Sequence, residues 1–157
     1  GDSQYYMERV LKLGVEVIPF SAGCLDGYDT VVDCLLGTGF SGEVRGQYRD
    51  AISEINKSSA YVISADINSG MNGDTGCYSL AVRADITVTI GYLKNGLVIS
   101  YLNGDPAIGS LMCVDIGIGL VREENYLLDE GEWNARGLPE SSKTCVVDGH
   151  TYYKEKI

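Results

Sequence analysis

One stretch of the chain, residues 29–46 (DTVVDCLLGTGFSGEVRG), restricts the possible folds more than any other. Residues 31–36 form an apolar run of strand length that only Asp33 interrupts. Such a run, ended by glycines, is typical of a strand buried on both faces, so it predicts a strand of a parallel sheet. Residues 37–42 then read GTGFSG, a loop that can bring backbone N–H groups close to an anion. An acid beside a glycine loop at the end of a strand is where open α/β sheets bind their ligands.

Helical and strand patterns alternate on either side of this stretch. Apolar residues at helical spacing predict helices over residues 4–13 and from Tyr48 onward. The predicted strands cover residues 15–20, 31–36, 60–67, 85–91, 96–102 and 111–118. Residues 68–76 are rich in glycine, asparagine and aspartate and predict an irregular loop. The alternation through residues 4–67 predicts the α/β class with a mainly parallel sheet.

Size and composition exclude some classes of function. A chain of 157 residues suits one domain with a sizeable core. Its net charge of −10 argues against nucleic-acid binding, which needs clustered lysine and arginine. The sequence contains no signal peptide and no apolar span of transmembrane length, so we expect a cytoplasmic protein that does not bind membranes. The five cysteines contain no C-x-x-C pair, and Cys34 and Cys113, inside apolar runs, are expected to be small core residues.

The glycine loop matches a nucleotide-binding pattern only in part. Gly37, Gly39 and Gly42 have the G-x-G-x-x-G spacing of dinucleotide-binding proteins, and Asp66 follows about twenty residues later, as that pattern requires. Four residues intervene before the next predicted helix, however, whereas the pattern opens directly into one. From the spacing alone, a glycine turn that only packs the strand against the helix is at least as good an interpretation as a ligand site.

Two acids are candidates for the chemistry of the site. Asp66 ends the predicted strand 60–67, where partial desolvation suits a carboxylate to general acid–base catalysis, although an aspartate before Ser-Gly more often caps a loop. Asp33 and Ser69 form a plausible pair of oxygen ligands for a hard cation. Two side-chain oxygens are too few for a divalent ion, so a monovalent ion assisted by backbone carbonyls is the better hypothesis.

Three segments of the chain follow one another as DTVVDCLLGTGFSGEVRGQY, YVISADINSGMNGDTG and AVRADITVTIGYLKNGL. In order and spacing they resemble the NAD(P)H-hydrate epimerase family, whose domain is also called the YjeF N-terminal domain, and MCVDIGIG fits the closing strand of that family. The resemblance covers roughly residues 5–130, so the chain divides into a family domain over residues 1–130 and a tail over 131–157 with a possible hairpin at Asp148-Gly149. It implies a Rossmann-like, three-layer α/β fold and the interconversion of the R and S forms of hydrated NADH and NADPH.

The resemblance also implies roles for individual residues. Asp66 matches the catalytic aspartate of the family, and Asp33 and Ser69 match ligands of one potassium ion per subunit. The residues that match the family's contacts with the hydrated dinucleotide are Asp66 and Gly37, Thr38, Gly39, Phe40, Ser41, Gly42, Glu43 and Tyr48. A dehydratase would act on the product, and a homodimer is possible.

Two departures from the family pattern leave a second hypothesis open. Asn68 stands where the family usually has proline, a change expected to loosen the loop that follows Asp66. The N-N-G-G-D loop of the family is not in this sequence, so its first unit is expected to be missing here. That absence favours a non-catalytic module that binds a nucleotide or a protein, whereas Asp66 and Ser69 favour the enzyme. A fragment of a dinucleotide-dependent oxidoreductase is the third and weakest hypothesis.

Overall fold

The computed structural model of the protein describes residues 2–119 and 125–155, which form two separate β-sheets. Residues 2–114 form, in chain order, α1 (Asp2–Lys12), β1 (Thr30–Asp33), α2 (Gly46–Lys57), β2 (Tyr61–Ala65), β3 (Ile86–Ile90), α3 (Asn95–Leu102) and β4 (Ser110–Val114), and β1 to β4 make up the first sheet. The second sheet and its helix consist of β5 (Asn125–Leu128), α4 (Glu130–Ala135), β6 (Thr144–Val147) and β7 (His150–Lys154). No helix within these described ranges is both long enough and apolar enough to cross a membrane.

The first sheet has four strands in the order β1-β2-β3-β4, and every neighbouring pair is parallel. Asp33 lies opposite Ser64, and Ser64 lies opposite Thr87, so these three polar residues form a row across the sheet. Because the strands are parallel, their carboxyl ends share one edge, and the loops after β1, β2 and β3 meet there. The prediction of a Rossmann-like α/β fold with a mainly parallel sheet is confirmed.

Helices α2 and α3 pack against one face of this sheet. Ile52 of α2 lies in an apolar cluster with Val31 and Val62, and Leu97 of α3 lies in a second cluster that Leu111 of β4 joins. Val31, Val62 and Leu111 all point to the same face, because side chains alternate along each strand and the strands are in register. The buried core therefore lies between this face and the two helices.

The strand that precedes the glycine loop is shorter than predicted and is not buried on both faces. β1 ends at Asp33, and Val32 on its other face is 58% exposed. The two leucines of the predicted run leave the sheet because their backbone N–H groups find side-chain acceptors. The N–H of Leu35 donates to the Asp33 carboxylate at 3.2 Å, and that of Leu36 donates to the Ser69 hydroxyl at 2.8 Å.

Three other strand predictions need correction. Residues 15–20 form no strand: β1 pairs with β2 alone within the described chain, and Pro19 has no N–H to donate. Residues 96–102 are helical, as part of α3. The sequence did not distinguish helix from strand here, because a short apolar run that is buried on all sides shows neither the helical nor the strand period. The strand predicted over residues 111–118 ends at Val114, and Asp115 then accepts a hydrogen bond from the N–H of Gly117 to form a turn.

The second sheet has the order β5-β7-β6 and its own small core of Leu128, Trp133 and Tyr152. β5 and β7 are parallel, with α4 between them in the chain, and β6 and β7 are antiparallel. Asp148-Gly149 lies at the turn between β6 and β7 with positive φ at both residues, which suits a tight hairpin. Trp133 is fully buried, and its indole N–H donates to the carbonyl of Pro139 at 3.1 Å.

Candidate functional site at the carboxyl edge of the sheet

The carboxylate of Asp33 is buried and fully hydrogen-bonded at the end of β1. It is 1% exposed. Its Oδ1 accepts from Ser69 Oγ at 2.5 Å and from the N–H of Leu35, and its Oδ2 accepts from Ser64 Oγ and the N–H of Ser69, both at 2.9 Å. These four donors replace the hydrogen bonds to water that the carboxylate loses when it is buried. The structure thus brings together Asp33 and Ser69, as the sequence predicted, and adds Ser64, which sequence analysis missed.

The glycine loop between β1 and α2 is open to solvent. Only Phe40 of residues 37–43 is partly buried, packed against the cluster that contains Val31 and Ile52. The loop lies beside the one that follows β2, because a Cβ placed on Gly73 would be 3.4 Å from the carbonyl oxygen of Thr38. Tyr48 on α2 is 50% exposed. The predicted dinucleotide-contacting residues therefore form an accessible rim next to the loop that contains Asp66 and Ser69.

The loop after β2 is held by Asn68, which is completely buried. Its side-chain N–H₂ donates to the carbonyls of Ala107 at 2.7 Å and Val82 at 3.1 Å, and its Oδ1 accepts from the Thr87 hydroxyl at 2.9 Å. These contacts support a well-held loop, against the expectation that asparagine loosens it. Three hydrogen bonds to three separate segments do what the rigid ring of proline would do by restricting φ.

Gly70 accounts for the tight path of the same loop. Its φ is +96°, and a Cβ at this position would collide with the carbonyl oxygen of Leu80 and come within 3.2 Å of Ala81 Cα. Only glycine combines that backbone conformation with so close an approach. The loop is thereby pressed against residues 80–81, which fixes the positions of Ser69 and Asp66.

Asp66 has an unusual backbone conformation. It follows β2 with φ of +71°, a left-handed value that costs energy in a residue other than glycine, and its N–H donates to the carbonyl of Val88 at 2.8 Å. The side chain consequently lies across the end of β3, where its Oδ1 accepts from the N–H of Ile90 at 3.1 Å. It is 30% exposed. A strained, half-exposed carboxylate at the carboxyl edge of the sheet is typical of functional sites.

Lys94 forms an ion pair with Asp66 that the sequence analysis did not predict. Its Nζ donates to Asp66 Oδ1, to Thr89 Oγ1 at 2.9 Å and to the carbonyl of Ile90 at 2.9 Å. One signal was present in the sequence: Lys94 is the only lysine or arginine between Arg83 and Arg122, and it comes shortly after a predicted strand.

The cysteines that were expected in the core are exposed. Cys34 and Cys113 both lie at the surface: Cys34 lies just beyond the end of β1, and Cys113 lies near the end of the edge strand β4. Partial desolvation of the Cys34 thiol raises its pKa, and the negative charge of the adjacent Asp33 raises it further. This thiol is therefore less readily ionised than an ordinary cysteine.

A cavity of about 260 Å³ opens elsewhere in the molecule, between the chain that enters β1 and the end of α2. It is lined by Leu25, Asp26, Gly27, Tyr28, Glu54, Lys57, Ser58 and Ser59. These residues precede β1 and β2, so the cavity lies at the amino end of the strands, opposite to the candidate site.

The N-terminal 96 residues match a known family. The family model described as "YjeF-related protein N-terminus" covers residues 1–96, which is more than half of the chain. The chain belongs to this family. Among its curated relatives is the "Bifunctional NAD(P)H-hydrate repair enzyme Nnr" of Methanothermobacter thermautotrophicus, 47% identical over 92 residues that make up 57% of this chain and 17% of the relative.

Two shorter relatives are named for a single activity. The "NAD(P)H-hydrate epimerase" of Levilactobacillus brevis is 39% identical over 56% of this chain and 40% of its own length. The protein of the same name from Rhodopirellula baltica is 39% identical over 70% of this chain and 45% of its own length. The chain thus spans less than half the length of these relatives.

The YjeF-related match covers β1, the glycine loop, α2, β2 and β3, and it includes Asp33, Asp66, Ser69 and Lys94. The predicted potassium ligands fit a cation only in part. Asp33 and Ser69 lie side by side, but a carboxylate has about four lone-pair positions and four donors of this chain occupy them. A cation could enter only by displacing one of these donors. The residues described contain no cluster of three or more acids, histidines or cysteines that could hold a metal.

Proposed function

We propose that this domain epimerises hydrated NADH and NADPH. The observation that carries the proposal is the position of Asp66 inside the region that matches the YjeF-related family. Its Oδ1 is held by Ile90 and Lys94, whereas no hydrogen bond from the described residues reaches its Oδ2. One carboxylate oxygen is therefore fixed and the other is available to a substrate. The names of the relatives supply the substrate class.

The chemistry requires a group that can exchange a proton with a hydroxyl. When the hydroxyl on C6 of the hydrated ring leaves with a proton from Asp66, it departs as water, and the ring nitrogen supplies the electron pair that forms a C=N bond. Water then adds to the other face of C6 and returns a proton to Asp66, so atoms and charges balance over the cycle. The carboxylate also stabilises the positive charge of the intermediate ring.

The glycine loop supports binding of the dinucleotide. Residues 37–42 are exposed apart from the partly buried Phe40 and can approach the pyrophosphate with bare backbone N–H groups. Helix α2 begins at Gly46 with no acidic residue in its first turn and no side-chain cap, so its positive end stays available to an anion. The hydrated nicotinamide ring would lie near Asp66, and the pyrophosphate would lie near Thr38 of the glycine loop.

An epimerase assay with matched aspartate variants tests the proposal. One purified epimer is incubated with the protein, and appearance of the other is followed by chromatography above the spontaneous rate. Asp66→Asn should lower kcat by about a hundredfold to ten-thousandfold, since asparagine cannot exchange a proton. Asp74→Asn is the control, because Asp74 is an exposed turn residue further along the loop that follows Asp66.

Two outcomes would reject the epimerase. Wild-type protein that binds the dinucleotide in calorimetry without turning it over would favour the non-catalytic binding module. An Asp66→Asn variant as fast as the wild type would remove Asp66 from the mechanism.

Potassium binding at Asp33 and Ser69 is a second part of the proposal. The closeness of the two oxygens supports it, although the four donors on Asp33 compete with a cation, and no step of the reaction is routed through the ion. A ligand that binds only the folded protein raises its melting temperature. We expect a larger rise in potassium chloride than in sodium chloride at equal ionic strength, and equal rises would reject a specific site.

The relatives named as bifunctional repair enzymes support a partner that acts on the same substrate class. We propose that a dehydratase consumes one epimer, so that epimerisation allows both epimers to be repaired. The five cysteines are free in the described structure, which supports a reducing compartment such as the cytoplasm.

A further inference from the structure

We infer that Lys94 is the positioning residue of Asp66: it fixes one carboxylate oxygen and directs the other toward the substrate. The inference rests on the proposed function and assigns a role to a residue that the sequence analysis did not include.

The first observation is that the ammonium group is completely committed. A lysine side chain has three N–H donors. Those of Lys94 are accounted for by Asp66 Oδ1, Thr89 Oγ1 and the carbonyl of Ile90. Thr89 is itself fully buried, and its hydroxyl donates to the carbonyl of Tyr92 at 3.2 Å. The ammonium is therefore held at a defined point above the end of β3.

The second observation is the asymmetry of the carboxylate. Both groups that contact Asp66, the ammonium of Lys94 and the N–H of Ile90, bind the same oxygen, Oδ1. A surface ion pair formed for its charge alone would leave both side chains free to rotate. Here the side chains of Asp66 and Lys94 are only 30% and 18% exposed. The backbone of both residues is also hydrogen-bonded, since the Asp66 N–H donates to Val88 and the Lys94 carbonyl accepts from Val98.

The third observation concerns the segment that presents Lys94. The residue immediately precedes α3, whose Gly96 N–H donates to the carbonyl of Gly73 at 2.8 Å. Gly73 belongs to the loop that follows Asp66, and that loop adjoins Thr38 of the glycine loop. Lys94 is thus joined, through Gly96 and Gly73, to the loops on both sides of the proposed substrate position.

These contacts give the pair a consequence for rate. A carboxylate that exchanges a proton must present one oxygen within hydrogen-bond distance of the reacting hydroxyl. Without Lys94 the strained Asp66 keeps only the N–H of Ile90 as an anchor, so its side chain would sample other rotamers. Displacement of a reacting group by about 1 Å can cost about a hundredfold in rate.

The test compares three substitutions at one position. Lys94→Met removes the donors and the charge, Lys94→Gln keeps a neutral donor, and Lys94→Arg keeps a cationic donor. We expect kcat to fall by about a hundredfold in Lys94→Met, with KM changed by less than about threefold, and to recover in part in Lys94→Arg. Lys57→Met, an exposed lysine of α2, is the control and should leave both constants unchanged.

A second measurement separates the inference from the proposed function. The Ile90 amide resonance and its hydrogen-exchange rate report the contact with Asp66 Oδ1, whether or not the protein turns over. Both should change in Lys94→Met, with melting temperatures close to that of the wild type. If the wild type shows no epimerisation, the proposed function fails, and the catalytic role of Lys94 fails with it.

Two results would overturn the inference while the function stands. One is a Lys94→Met variant that retains kcat within about twofold of the wild type. The other is an unchanged Ile90 amide in that variant, which would show that Lys94 does not hold the carboxylate. If Lys94→Arg and Lys94→Gln restore kcat equally, the hydrogen bond from residue 94 positions Asp66 and its positive charge does not.

Discussion

Asp33 and Ser69 are 36 residues apart in the sequence, and their side chains form a 2.5 Å hydrogen bond at the carboxyl edge of the parallel sheet. The backbone N–H of Ser69 also donates to the same carboxylate, and the Ser69 hydroxyl accepts from the N–H of Leu36. This set of contacts joins the end of β1 to the loop that follows β2. The two loops that flank the proposed dinucleotide site are therefore fastened to each other.

Replacing Ser69 with alanine should destabilise the fold. The substitution leaves the N–H of Leu36 without its acceptor and removes one donor from a buried carboxylate. Leaving a buried group unsatisfied costs about 1–3 kcal/mol, which urea denaturation measures directly. Ser59→Ala, at an exposed serine, is the control and should change the free energy of unfolding by less than about 0.5 kcal/mol. Equal denaturation midpoints for the two variants would contradict the structure.

Asn68 should be more sensitive than Ser69, because its side chain connects three segments. In Asn68→Ala the carbonyls of Val82 and Ala107 and the hydroxyl of Thr87 all lose a partner. We expect a loss of about 3 kcal/mol or more in urea denaturation and faster hydrogen exchange in residues 66–72.

Two further variants complete the Asn68 experiment. Asn68→Pro should be nearly as unstable as Asn68→Ala, since a proline ring restricts the backbone but cannot donate to either carbonyl. The exposed Asn95 gives the matched control, Asn95→Ala. An Asn68→Pro variant as stable as the wild type would show that backbone rigidity, and not the amide, holds this loop.

The sheet could be predicted because its signals are local. Residues 60–67 and 85–91 are apolar or β-branched runs bounded by turn residues, and they contain β2 and β3. Residues 96–102 satisfied the same rule and are helical instead. The helix is apolar on all sides because it is packed between the sheet and the loop at residues 68–76, and a short run of this kind carries no period.

The site could be predicted only as far as strand ends determine it. Asp33 and Ser69 were identified because parallel strands bring their carboxyl ends to one edge. Lys94 was missed because its contact with Asp66 depends on the left-handed φ of Asp66, which turns the carboxylate toward β3. No spacing in the sequence specifies that angle. The same holds for Asn68, whose partners lie on three segments that meet only in the folded chain.

Replacing Gly39 with valine should weaken dinucleotide binding without unfolding the domain. No atom lies within 4 Å of a Cβ at Gly39, and its φ is not positive, so the folded chain accommodates a side chain there. The added atoms would instead obstruct the approach of a pyrophosphate to the backbone. Calorimetry should show weaker binding at an unchanged melting temperature.

Gly42→Val is the comparison, because Gly42 has φ of +90° and its replacement should also lower the melting temperature. Unchanged affinity in Gly39→Val would make GTGFSG a packing turn.

Tyr78 should make the stability of the fold depend on pH in the alkaline range. Its hydroxyl donates to Asp105 Oδ1 at 2.8 Å. Partial desolvation raises the pKa of the 39% exposed Tyr78 to about 12, with further contributions from the hydrogen bond to Asp105 and its negative charge, which the positive charge of Arg83 partly opposes. The unfolded chain loses this proton near pH 10 and the folded chain only near pH 12.

The sign of the effect follows from which state holds the proton more tightly. Below about pH 10 both states are protonated and the stabilisation is fully present, and it is lost as the pH rises from about 10 to about 12. Tyr78→Phe should therefore be less stable than the wild type at about pH 9, with a shallower decline in stability toward about pH 11. Urea denaturation at both pH values measures this difference, and the tyrosinate absorbance of the folded protein should lose a late-titrating group in the variant.

Tyr61→Phe, at a half-exposed tyrosine of β2, is the control and should follow the wild-type decline. A Tyr78→Phe variant whose stability falls as steeply as that of the wild type would show that the bond to Asp105 does not retain the proton.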